Sequence, residues 1–105
     1  MEAQEKEASA ALEKELARAF VEQSNLNLRA LVEDQGRGDL EAWRKTAHMF
    51  KGGALGIGAA RLADLCQQGQ HFQGTLAQQT DLLMRIETEY IRVKKFLAAH
   101  DLAGS

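Results

Sequence analysis

The stretch that most constrains this chain runs from Leu76 to Leu97, where Leu76, Leu83, Ile86, Tyr90, Val93 and Leu97 recur at helical spacing with Thr80 completing the stripe. At 100° per residue that spacing keeps the side chains on one face of a helix, and it lacks the two-residue alternation of a half-buried strand. Thr75 followed by Gln78 is a capping-box pattern that starts this helix. A helix with one apolar face must cover it with other elements.

Three earlier stretches can supply the cover. From about Glu5 to Gln35 the apolar residues fall at Leu12, Leu16, Ala19, Phe20, Leu26, Ala30 and Leu31, with Gln23 the one polar break. Ser24, Asn25 and Asn27 are weak helix formers and mark a place where this first helix can bend. Phe20, Leu28 and Val32 lie wide of its main stripe, suiting either an exposed apolar docking patch or a broader buried face. Gly36 and Gly38 around Arg37 are stop signals, and Asp39 is a good N-cap for a second helix with Leu40, Trp43, Ala47, Phe50 and Ala54 inward. Gly56 and Gly58 end it. A third helix is expected from Ala59 or Ala60 to Phe72, with Leu62, Leu65 and Cys66 inward and Gly74 as its stop. Gly69 takes an inward position there, which implies either a close approach of two helices or a weakened helix end. Four amphipathic helices joined by short turns predict an all-α fold, an antiparallel up-down four-helix bundle forming a single domain over residues 1–105.

Composition excludes several functions. Lys and Arg number 13 against 15 acidic residues, for a net charge of -2, and phosphate-backbone binding needs a concentrated basic surface, so nucleic acid is not an expected partner. A single cysteine, Cys66, precludes an intrachain disulfide and suits a reducing compartment; it reads as a small buried packing residue. The start, MEAQEKEASA, lacks the basic and apolar regions of a secretory signal, and no apolar run approaches the ~20 residues of a membrane helix. A cytoplasmic protein without a membrane partner is expected.

Against this background the segment Ala47 to Ala59, AHMFKGGALGIGA, stands out. Each interior glycine costs a helix about 1 kcal/mol relative to alanine, so Gly52 and Gly53 serve something other than helix stability. His48 lies about 100° round from the centre of the second helix's apolar stripe, in company with Arg44, Gly52 and Leu55, and faces outward. One turn away stand Arg44, Lys45, Lys51 and Gly52, with no carboxylate to orient the imidazole as a general base. A cationic surround suits an anion arriving at the ring, and a phosphoryl group in transfer carries charge on three oxygens that Lys51 is best placed to neutralise. The glycines clear space for a second macromolecule to bring its reacting group to the ring. The pattern points to a phosphoryl relay between proteins.

His48, Lys51, Gly52, Gly58 and Ala59, followed by Leu62, Cys66 and Gln70, resemble the signature of histidine-containing phosphotransfer (HPt) domains, over roughly residues 18 to 98. The resemblance implies that His48 accepts a phosphoryl group from a receiver-domain aspartate and passes it to another, that Lys51 neutralises the phosphate, and that Gln70 hydrogen-bonds and orients the imidazole. Arg44, Gly52, Gly53 and Leu55 then form a receiver docking surface. The implied partners are receiver domains of response regulators and of a hybrid sensor histidine kinase, with the chain a monomer. It would be a phosphocarrier and not an enzyme, holding no metal or cofactor of its own, the Mg²⁺ lying in the receiver. Two positions depart from the family pattern: Gly69 replaces an aliphatic residue, and Gly53 replaces a more frequent serine or alanine, as in the first domain of chemotaxis-type histidine kinases. Other readings are the phospho-accepting domain of such a kinase and a helical adaptor that takes no phosphate. A zinc site from His48, Cys66 and His71 lacks a recognised ligand spacing. His71 and His100 read as surface or helix-end residues.

Overall fold

The computed structural model describes the backbone of residues 2–100 and the side chains of residues 10–100. Four helices follow one another, α1 (Glu2–Gly36), α2 (Leu40–Gly56), α3 (Ala60–Gln70) and α4 (Leu76–Ala99), and the described residues contain no strand. The short links force consecutive helices to run antiparallel, giving the expected four-helix bundle. Both turns that need a left-handed residue have glycine there, Gly38 at φ 67° and Gly58 at φ 78°. Asp39 caps α2 by accepting from the Ala42 amide at 3.0 Å. At the start of α4, Thr75 N–H donates to Gln78 Oε1 and Gln78 N–H donates to Thr75 Oγ1, completing the capping box.

The core gathers Phe20 and Leu31 of α1, Trp43, Ala47, Phe50 and Ala54 of α2, Leu62 and Cys66 of α3, and Leu82, Leu83, Ile86, Tyr90 and Leu97 of α4. Tyr90 sits at its centre, edge-on to Phe20 at 6.0 Å and Phe50 at 5.9 Å between ring centroids. Its hydroxyl reaches Asn25 Oδ1 at 2.6 Å, tying α4 to α1.

On α1 the structure corrects the predicted face. Ala17, Phe20, Ser24, Asn27, Leu31 and Asp34 point inward, whereas Leu12, Leu16, Leu26 and Val32 are exposed. Burial here went in part to polar residues, of which Asn27 and Asp34 find partners inside the protein. Asn27 Oδ1 accepts from Gln23 Nε2 at 3.1 Å, and Asp34 accepts from Thr46 Oγ1 at 3.0 Å and from Arg37 Nη2 at 2.5 Å. The Ser24 to Asn27 cluster therefore does not break α1, which runs through it unbroken. From Ala10 to Leu16 every side chain is exposed, and among the described residues of α1 burial starts at Ala17. Of the three residues placed wide of the stripe, Phe20 is buried, Leu28 half-buried and Val32 exposed.

Smaller corrections follow on α3 and α4. Helix α3 ends at Gln70, two residues before the expected Phe72, where the amides of His71 and Phe72 turn back onto the carbonyls of Gln67 and Gly69. Leu76 and Thr80 face outward and Gln79 and Leu82 inward in the first turns of α4, because Thr80 lies on the flank that meets α1, accepting from Gln35 Nε2 at 2.8 Å. Gly69 marks a close approach of two helices: a Cβ there would lie 3.0 Å from Ala47 Cβ.

Candidate functional site

The outer face of α2 presents His48, flanked by side chains that cross to α3. Packing fixes this arrangement from beneath. Trp43, Ala47, Phe50 and Ala54 are fully buried, so the residues between them on the helix, Lys45, His48, Met49 and Gly52, must face solvent.

Successive contacts run across the antiparallel α2–α3 seam. Arg44 donates from Nε at 3.0 Å and Nη2 at 2.6 Å to the Phe72 carbonyl just beyond α3, a carbonyl that the helix itself leaves unpaired. His48 and Gln70 line a shallow open cavity of about 410 Å³ together with Arg44, Lys45 and Met49. One turn further, Lys51 Nζ donates to Gln67 Oε1 at 3.2 Å. The structure thus brings His48, Lys51 and Gln70 to one seam. No hydrogen bond joins His48 to Gln70, and the Gln70 Oε1 is buried without a partner.

The glycines behave differently from one another. A Cβ on Gly52 would meet nothing within 4 Å, so the space beside His48 is open, whereas one on Gly53 would touch the Phe20 ring at 3.7 Å, an ordinary contact. Leu55 and Met49 are exposed on either side of the α2 ridge. Arg44, expected on a docking rim, is half-buried and tied to Phe72. Lys45 pairs with Glu41 at 3.4 Å, both ends largely exposed, and contributes little to stability.

Three features were not singled out in the sequence. Met49 borders the imidazole, and Gln67 holds Lys51. Gln67 was findable: it stands one turn before Gln70 as Lys51 stands one turn after His48, so an antiparallel pair of helices brings them together. The third is on α1. Ala19, Leu26 and Ala30 lie on the flank that turns Asp34 toward Thr46 of α2, away from Val21 and Asn25, which meet Tyr90 of α4. Leu26, which is exposed, therefore lies on the side of α1 that faces α2.

Burial pushes the Cys66 thiol up to about 12, so it stays protonated at neutral pH and is a packing group. His71 caps the end of α3 and is exposed; His100 stacks on Phe96 with ring centroids 4.1 Å apart. Among the described residues no group of three His, Cys, Asp or Glu side chains is placed to hold a metal ion. No helix among them is long and apolar enough to cross a membrane.

Chemically, an exposed imidazole with cations on one flank and open space on the other is equipped to take up and release an anionic group carried by a partner. Comparison with curated proteins and with solved structures gives no match. The family model of the Hpt domain matches residues 15–96, taking in α1 from Glu15, all of α2 and α3, and α4 as far as Phe96. Hpt domains are phosphocarrier modules that carry out histidine phosphotransfer in two-component systems and interact with receiver domains of response regulators. With most of its length matched and an all-helical bundle in place, the chain belongs to the Hpt domain family.

Proposed function

We propose that the protein relays a phosphoryl group between receiver-domain aspartates and carries it on His48. The observation that supports this most directly is the open space at Gly52 beside an exposed His48 whose cationic neighbours include no carboxylate. In the forward step an imidazole nitrogen lone pair attacks the phosphorus of an aspartyl phosphate. The N–P bond forms as the P–O bond to the carboxylate breaks, and the carboxylate leaves with the electron pair. The second half reverses this toward another aspartate. Lys51 offsets charge on the phosphoryl oxygens, and the unpartnered Gln70 Oε1 accepts from the N–H of the other imidazole nitrogen, aiming the lone pair outward. Mg²⁺ belongs to the receiver's acidic pocket in this scheme.

The receiver docks on Gly52, Gly53, Leu55 and Met49, with Ala19 and Leu26 of α1 at the edge, while Arg44 holds α3 in place. The protein acts as a monomer, and a hybrid sensor kinase is the expected donor. The test is incubation with a phosphorylated receiver and Mg²⁺, followed by mapping of an acid-labile, base-stable phosphate. Label on His48 that disappears in His48→Gln with the helical fold intact supports the relay. Absence of label from several receivers would shift the reading to the phospho-accepting domain of a chemotaxis-type kinase, and unchanged signalling in His48→Gln to an adaptor.

A further inference from the structure

We infer that Gly69 is a positioning residue for the His48 site: its missing side chain lets α3 seat directly on Ala47 and Trp43, and that spacing holds Gln70 beside the imidazole. The inference rests on the reading of His48 as the phosphoryl acceptor and of Gln70 as its orienting partner.

A Cβ on Gly69 would lie 3.0 Å from Ala47 Cβ and 3.3 Å from both Cη2 and Cζ3 of Trp43. Neither neighbour has an easy way to yield. Ala47 Cβ is fixed to the backbone of α2 and cannot rotate aside. The Trp43 ring is fully buried and packed edge-on against Phe72 at 5.6 Å between centroids. Even an alanine at position 69 must therefore move the two helices apart or displace the ring by a few tenths of an ångström.

The contact sits where such a movement matters. Ala47 immediately precedes His48 and Gly69 immediately precedes Gln70, so this close approach of α2 and α3 is adjacent on both helices to the pair that shares the cavity. Gln70 Oε1 is buried without a partner, an arrangement that a folded protein tolerates when the acceptor has a further use. The exposed imidazole alongside can supply the missing donor. Displacing α3 outward moves the acceptor away from the ring that it serves. Small misplacements of this kind carry large penalties in transfer reactions.

The experiment compares wild type with Gly69→Ala, Ala47→Gly and the double variant, in two readouts. One is the ¹⁵N NMR signature of the His48 imidazole, which reports a fixed tautomer against a mixture. The other is the initial rate of His48 labelling by a phosphorylated receiver. In Gly69→Ala the fixed-tautomer signature is lost and labelling falls on the order of tenfold while circular dichroism remains helical. Removing the Ala47 methyl in the double variant takes away the tighter of the two contacts and leaves the 3.3 Å contacts to Trp43, so both readouts recover in part. A merely structural role would lower the melting temperature and leave the imidazole signature of the folded fraction unchanged.

Gly69→Ala with the wild-type signature and rate overturns the inference. So does a double variant no closer to wild type than Gly69→Ala when Ala47→Gly alone is folded; if Gly69→Ala itself does not fold, a double variant that also fails to fold overturns it. A wild type that takes no label sinks the relay instead, and the NMR comparison still reads the role of Gly69.

Discussion

Lys51 Nζ donates to Gln67 Oε1 at 3.2 Å, so the cation one turn from His48 is held by a neutral amide that does not compete with an incoming anion. A carboxylate in the same place would hold it too, but would compete with the phosphoryl group. Gln67→Glu is therefore expected to slow labelling of His48 by about two- to fivefold, the range set by an exposed ion pair worth up to ~1 kcal/mol. Gln67→Ala is expected to have a smaller effect. Labelling rates at low and high salt check this: screening by salt should shrink the Gln67→Glu deficit.

Docking on the exposed apolar face predicts a split between protein and small-molecule donors. Leu26→Lys and Met49→Lys place a charge where a receiver would bury apolar surface, and transfer from a phosphorylated receiver should fall about tenfold. Phosphorylation by phosphoramidate, which needs no docking, should be unchanged. Both side chains are exposed, so the melting temperature should move by less than the equivalent of about 0.5 kcal/mol.

Asp34 joins α1 to α2 through Thr46 while also holding Arg37. Asp34→Ala leaves a buried hydroxyl unpaired and is expected to cost about 2–3 kcal/mol, measured by urea unfolding. Labelling of His48 per folded molecule should be preserved, because Asp34 makes no contact with the α2–α3 seam.

Cys66 gives the protein a pH dependence of stability. Its thiol is raised from 9.0 to about 12 by desolvation in the fold. The folded state therefore binds this proton more tightly than the unfolded state, so the contribution is fully present below pH 9 and is lost as pH rises toward 12. Melting curves across that window should fall more steeply for wild type than for Cys66→Ala. At pH 8 the thiol should be inert to a thiol-titrating disulfide reagent in the native protein and react once the chain is unfolded.

Much of this molecule is decided by local physics and is legible from the chain alone. The glycine stops at Gly38 and Gly58, the Asp39 cap, the Thr75–Gln78 box and the apolar spacing of α2 need only a few neighbouring residues, so element order and the outward position of His48 follow from sequence. Lys51 is likewise placed by its register with His48 on the same helix, whereas Gln70, on α3, is reached through the family resemblance. The inward face of α1 was not readable in this way. Leu12, Leu16 and Leu26 have the apolar character of a core face yet are exposed, while Asn27 and Asp34 are buried, satisfied by Gln23 on the same helix and by Thr46 on α2. Nor does sequence distinguish a glycine that weakens a helix from one that admits a neighbour. Only the seating of α3 against Ala47 and Trp43 shows that Gly69 is the second kind, since helix spacing is set by the volumes of side chains far apart in the chain.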